Sequence, residues 1–180
     1  MPTTPDPVTR VGSVVVFAAA VESWLTDLGL EPGERAERDG ISSWDLVLDG
    51  RRRFDIRITL ILDPGLALVA WAHYAPPLND MFRKTYRRLL RWNDSFPFAK
   101  FALAPDDRPI LETEIPVRWL DADELGLAIA RLLAICDLLL EESAGLIWIG
   151  GRIPSGEGRI SRGIGVLSRY ERKLEELVGA

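Results

Sequence analysis

The hydrophobic positions of this 180-residue chain change period several times, and each change marks an element. Val14, Phe17, Val21, Leu25 and Leu28 recur at helical spacing. They predict an amphipathic helix from about residue 11 to 28, ended by Gly29 with Pro32-Gly33 beyond it. A charged, glycine-bearing loop follows over 31–40. From Trp44 the period drops to two. Trp44, Leu46 and Leu48 alternate with Asp45, Val47 and Asp49, and Asp49-Gly50 reads as a hairpin turn. Phe54, Ile56, Ile58, Leu60 and Leu62 continue the alternation on the return strand, and Asp63-Pro64-Gly65 turns the chain again. The third strand, 66–74, is apolar on both faces, the pattern of a central or doubly covered position.

Helical spacing resumes after Pro76-Pro77, over 78–93. Met81, Phe82, Tyr86, Leu89 and Trp92 share one face, and Arg83, Lys84, Arg87, Arg88 and Arg91 occupy the other. Two strands follow, 98–103 and 109–117, joined by Pro105-Asp106-Asp107-Arg108. A third helix starts at Asp121, with Glu124 three residues on in capping-box spacing, and runs to about Ser143. A glycine-rich stretch over 145–165 contains the apolar patch Leu146-Ile147-Trp148-Ile149 and leads to a short helix on Leu167, Tyr170, Leu174 and Leu177. The fold class is α+β: an antiparallel sheet of about five strands in the order α-βββ-α-ββ-α, with helices packed on it, plus a C-terminal helix. The organisation is a loose tail over 1–10, an α+β domain over 11–145, and a linker with its helix over 146–180.

Composition narrows the class. With 47% hydrophobic and 27% charged residues, the chain has the makings of a folded core. The single cysteine, Cys136, excludes an intramolecular disulfide and a multi-cysteine zinc site, and fits a reducing cytoplasm. The apolar run 11–21 imitates a secretory leader, but its helical period continues through the supposed cleavage point. No run reaches the roughly 18 apolar residues of a membrane span. A net charge of −5 argues against nucleic acid as a general partner.

Candidate chemistry is sparse. Glu112 and Glu114 share one strand face, with Arg57 or Lys100 as neighbours on adjacent strands; solvated or cross-strand pairing accounts for them better than acid–base work. His73 is the sole histidine, sits in an apolar strand, and has no second metal ligand at HExxH or HxH spacing. Cys136 lies among Leu132, Leu133, Leu139 and Leu140 as a packed thiol. The glycines and arginines of 150–165 match no phosphate-loop pattern and read as a mobile linker. No catalytic residue, metal ligand or cofactor is assigned.

One segment carries a resemblance. Leu90 and Asn93 precede Phe96-Pro97-Phe98-Ala99-Lys100-Phe101, followed by a strand over 110–117 and the acidic opening Leu120-Asp121-Ala122-Asp123-Glu124-Leu125. With the element order, this resembles the YbjN-type domain family, whose fold is like that of the CesT-type type III secretion chaperones. The resemblance covers about residues 11–145. It implies a dimeric α+β domain without catalytic residues, described as a sensory transduction regulator or chaperone-like.

Two surfaces remain as sites. On the third helix, Leu125, Ala128, Ile129, Leu132, Leu133, Ile135, Cys136 and Leu139 face the sheet. Leu127 and Leu138 fall on the far side. With Leu146, Ile147 and Trp148 they make a candidate partner-binding patch, unless the C-terminal helix folds back over it. On the second helix, Arg83, Lys84, Arg87 and Arg91 make a candidate anion site. Residues 78–94 carry net +3 and residues 121–145 net −5, so contact between subunits competes with a solvated face. The expectation is a non-enzymatic, homodimeric protein-interaction or chaperone-like module of the cytoplasm that binds a protein or peptide. The alternative is a regulator that binds a small anion or nucleic acid through the second helix.

Overall fold

The computed structural model describes residues 7–78 and 83–178, with the side chains of 16–78 and 83–175. Six strands form one antiparallel sheet in the order β1-β2-β3-β4-β6-β5. They are β1 (Glu34–Arg38), β2 (Ile41–Leu48), β3 (Ile56–Asp63), β4 (Ala67–His73), β5 (Lys100–Leu103) and β6 (Pro109–Pro116). The helices are α1 (Pro7–Asp27), α2 (Arg83–Ser95), α3 (Ala122–Leu138), α4 (Leu140–Ile147), α5 (Ile164–Arg169) and α6 (Glu171–Val178). The α+β class holds, with one strand more than the pattern predicts. Of the expected tail, residues 1–6 lie outside the described residues, and α1 already begins at Pro7.

The added strand is β1, within the span expected to be a loop. Its sequence, Glu-Arg-Ala-Glu-Arg, is exposed throughout and has no apolar alternation to announce it. What makes it a strand is its turn: Asp39 and Gly40 hold φ of 53° and 78°, so Arg38 comes to lie opposite Ile41. Two positive φ values in a two-residue loop match the twist of the paired strands. A charged edge also resists pairing with another chain. Asp49-Gly50 behaves otherwise, because β2 and β3 are joined by a longer loop over 49–55.

The sheet is covered on one face. Trp44, Leu46 and Leu48, Ile58, Leu60 and Leu62, Leu68, Ala70 and Ala72, and Leu111 and Ile115 are buried beneath the helices. On the opposite face Val47, Arg57 and Glu114 are exposed, and Thr59, Ile61, Val69, Trp71, His73 and Glu112 are half-buried. Strand β4 is therefore central in the sheet but not doubly covered. Helix α1 lies on β2, burying Ala18, Val21, Leu25 and Leu28; the Val14 side chain lies outside the described residues. Helix α2 buries Leu89 and Trp92 against β5, and the expected Met81 and Phe82 positions lie outside the described residues. The rings of Tyr74, Trp92 and Phe101 meet there at centroid distances of 4.8 to 6.5 Å.

Helix α3 is capped by the Asp121 carboxylate, which accepts from the N–H groups of Asp123 and Glu124 at 2.9 and 2.8 Å. It stops at Leu139, where ψ opens to 7°, and α4 restarts at once, so the single helix expected to Ser143 is two. Leu125 to Ala130 are all buried, as a helix enclosed on several sides requires. The sheet lies on one side, and α5 and α6 on another. A Cβ on Gly126 would lie 2.4 Å from the Tyr170 hydroxyl, so glycine lets Tyr170 seat on α3. The C-terminal helix is likewise two short helices, and the Leu177 side chain lies outside the described residues.

The glycine-rich stretch is docked to the β2–β3 loop, contrary to the mobile linker expected. Arg162 donates to Asp49 through Nε at 2.7 Å and Nη2 at 2.6 Å, and to Asp55 at 2.6 Å. Arg159 makes a two-pronged contact with Asp55 at 2.9 Å and lies over the Phe54 ring. A Cβ on Gly163 would sit 2.2 Å from the Asp49 carbonyl oxygen, and one on Gly156 2.1 Å from the Phe54 ring. These glycines serve close approach, not freedom.

Burial alone would raise the Asp49 carboxyl, but Arg162 and the N–H groups of Asp55 and Arg162 outweigh it and hold it at about 2. An unfolded Asp titrates near 3.9, so this stabilisation is complete above about pH 4 and is lost as pH falls through about 2. Asp49→Asn should cost about 2 kcal/mol at neutral pH, with the gap from the native protein closing between about pH 4 and pH 2 in urea titrations.

Candidate functional site

The site is built on a loop that the end of α3 organises. Asp137 accepts from three consecutive backbone N–H groups: Arg51, Arg52 at 3.0 Å and Arg53 at 2.7 Å. Successive N–H groups converging on one anion form a nest, and here the anion is the protein's own carboxylate. A Cβ on Gly50 would come within 2.3 Å of that carboxylate, so only glycine admits it. Arg53 runs inward, donates to the Tyr74 carbonyl oxygen, and lies 4.7 Å from the Tyr74 ring centre. Arg51 and Arg52 reach outward instead, to Glu171 at 2.6 Å and to Glu141.

Beside this loop lies a groove of about 640 Å³. Its floor is Phe96, Ala134, Ile135, Leu138, Leu167 and Leu174; Arg51, Arg52, Asp137, Glu171 and Glu175 surround it. Leu138 is 48% exposed there, whereas Ile135 and Leu167 are buried beneath it. An open apolar trough with charged margins suits an amphipathic segment of another chain.

The candidate patch residues are thus not one surface. Leu127 is 3% exposed, because the helix face it occupies is enclosed, so it cannot meet a partner in this fold. Leu138 remains accessible and lines the groove. Leu146 and Ile147 are half-buried against the core, and Trp148 is half-buried at the end of α4. The sequence pattern missed Phe96, Leu167 and Leu174 as groove residues, since nothing local in the chain says that α5, α6 and the α2–β5 turn border the same stretch of α3.

The second helix carries its basic residues as expected. Among the described residues, Arg83, Lys84, Arg87 and Arg91 are exposed and form no ion pair; Arg88 donates to the Glu142 carbonyl oxygen at 2.9 Å. The Phe-Pro-Phe segment after α2 is scaffold. The Asn93 amide donates to Phe101 O at 3.1 Å and accepts from Phe101 N–H at 2.5 Å, covering backbone groups on the free edge of β5. The Lys100 ammonium donates to the carbonyl oxygens of Asn93 and Phe96 at the end of α2. Glu112 therefore stands opposite Lys100 in register while the ammonium is engaged elsewhere. Burial, with Glu114 near it, pushes the Glu112 carboxyl upward.

The open sheet face holds one polar chain. Arg108 donates to His73 Nδ1 at 3.2 Å, which places the ring proton on Nε2, toward Thr59 Oγ1 at 3.0 Å. The Thr59 hydroxyl proton then goes to Asp45 at 2.5 Å, and Arg57 pairs with the same carboxylate. His73 thus donates to the hydroxyl and cannot take its proton, the reverse of a nucleophile–base pair. Burial, aided by Arg108 and Arg57, pushes His73 below its usual range. Cys136 is fully buried, and burial pushes its thiol up to about 11 even though Arg53 from the loop opposes it. Among the described residues no group of three or more His, Cys, Asp or Glu is placed to hold a metal ion. None of their helices is long and apolar enough to cross a membrane.

Fold and site together define a one-face-covered α+β module whose prominent feature is an open apolar groove. A family model described as "Putative bacterial sensory transduction regulator" matches residues 18–143, and the chain belongs to that family, YbjN. A comparison with curated proteins finds no match. The docked segment carrying α5 and α6, which supplies one wall of the groove, lies beyond the matched span.

Asp137→Ala leaves three loop N–H groups without their acceptor and should destabilise the fold by about 2–4 kcal/mol in urea unfolding. Glu141→Ala removes only an exposed ion pair and should cost less than about 0.5 kcal/mol.

Proposed function

We propose that this chain is a non-enzymatic regulatory module that acts by seating an apolar segment of a protein partner in the groove between α3, α6 and the β2–β3 loop. The observation that carries the reading is the groove itself, about 640 Å³ with an exposed leucine on its floor. Its size lies within the range of built binding sites, and Leu138 with the half-buried Leu174 supplies the apolar contact on which docking energy depends. Asp137, Glu171 and Glu175 outnumber Arg51 and Arg52 around it, so the margins favour a segment with basic flanks. A second reading is favoured by the unpaired cations of α2: a small anion or nucleic acid held by Arg83, Lys84, Arg87 and Arg91. Binding of a labelled single-stranded oligonucleotide that weakens steeply with salt would support that reading.

The groove reading is tested by placing a photoreactive benzoylphenylalanine at Leu138 or, as a control, at Val47 on the open sheet face, and irradiating cells. The expected result is a discrete protein adduct from position 138 alone, abolished by Leu174→Glu. No adduct from position 138, or the same adduct from both positions, contradicts the groove as a docking site. Leu138→Asp should cost about 1–2 kcal/mol, because half of this leucine's surface is buried and the new carboxylate falls at the C-terminal end of α3 beside Asp137.

A further inference from the structure

We propose that Arg131 holds a carboxylate side chain of the segment seated in the groove. The occupant is then a peptide of a partner protein that carries an Asp or Glu about 10 Å from the apolar residue over Leu138. This rests on the groove reading above and names the chemistry of the partner. Arg131, Ala134 and Leu138 recur at i, i+3 and i+7 on α3, so they share one face of the helix. Ala134 and Leu138 line the groove, and Arg131 continues that line one turn further. The facing wall leads to the same place. Phe96 lines the groove, and two residues on Phe98 lies against the Arg131 guanidinium, 4.8 Å from its carbon to the ring centre. Phe98 is 68% exposed and holds φ of 63°, a backbone region that large side chains rarely adopt. The turn after α2 therefore presents this ring at the end of the groove at some cost in backbone strain.

What the Arg131–Phe98 stack lacks is an acceptor. Among the described arginines withdrawn from solvent, Arg53 donates to the Tyr74 carbonyl oxygen and Arg108 pairs with Asp106 at 3.1 Å. Arg131 is half-buried and makes neither a hydrogen bond nor an ion pair among the described residues. Its Nε–H is enclosed without a partner. Burial pushes its pKa down, and Glu124, two turns earlier, opposes this without reaching it as an ion pair. A partly desolvated guanidinium is a fork of donors preset for a carboxylate, and the bond it forms there is stronger than in open water. A peptide fits this place better than other anions. A fatty acid needs walls that enclose most of its chain, whereas this trough is open and edged by the Arg51–Glu171 ion pair. A phosphate polymer would meet Asp137, Glu171 and Glu175 along the margins.

Selection of phage-displayed randomised peptides, on the native chain and on Arg131→Glu, tests the assignment. Binders to the native chain that are lost on Leu174→Glu occupy the groove. They should share an Asp or Glu at fixed spacing from an apolar residue, and those selected on Arg131→Glu should carry Lys or Arg at that place. A fluorescein-labelled copy of the most enriched native-chain peptide is then titrated by polarisation. Changing its acid to the amide should weaken binding to the native chain about tenfold or more, with no variant of the protein required. The same change should make little difference to Arg131→Gln, shown folded by circular dichroism, because the partner of the acid is already gone. Groove peptides without a shared acid, or an acid that matters equally to the native chain and to Arg131→Gln, overturn the inference and leave the groove reading standing. Failure to select any peptide that is lost on Leu174→Glu overturns both. Dodecanoate that binds the native chain and not Arg131→Gln, where no peptide is enriched, assigns Arg131 to a small amphiphile and overturns the peptide.

Discussion

The contact on which the rest of this structure depends is the one between the Asp137 carboxylate and the backbone N–H groups of Arg51, Arg52 and Arg53. A loop between two sheet strands has no hydrogen-bonding ladder of its own, and its buried N–H groups need acceptors. One carboxylate at the end of α3 supplies them together, and Gly50 is the residue that lets it come close. The consequences run outward in three directions. Arg53 is turned into the core against Tyr74. Arg51 and Arg52 are aimed at the glutamates beside the groove. Asp49 and Asp55, at the ends of the same loop, are presented to Arg159 and Arg162.

That last set explains how a span beyond the family match becomes part of the fold. The C-terminal segment buries Val166, Leu167 and Tyr170, and fixes its entry through a carboxylate that is itself 1% exposed. Once α5 and α6 lie on α3, the apolar surface of that helix divides. Leu127 becomes core, and Leu138 becomes the floor of a trough with α6 as a wall. The groove is therefore made by the extension as much as by the domain that carries it.

Much of the fold was legible because burial writes itself into period. The alternation of Trp44-Leu46-Leu48 and of Ile56 to Leu62, the cap at Asp121 and the two-sided character of α2 all follow from which positions meet the core. The failures share a different cause. Strand β1 is held by its turn and by pairing with β2, so its charged sequence carries no burial signal. Asp39-Gly40 and Asp49-Gly50 are the same dipeptide, and only the first is a tight turn, because the second is claimed by Asp137 eighty-odd residues away. Gly156 and Gly163 looked like freedom and are close approaches to Phe54 and Asp49, which a sequence cannot pair with them. Of the candidate patch, Leu138 was readable from the helical wheel. The burial of Leu127 depended on a third layer whose position no local pattern fixes.

Hydrogen exchange on Asp137→Ala, compared with the native chain, bears most directly on the claim that one carboxylate organises both loop and groove. Protection should be lost in the amides of Arg51 to Arg53 and, together with them, in α5 and α6, while β3 and β4 stay protected. Loss confined to the three loop amides, with α5 and α6 as protected as in the native chain, would contradict it.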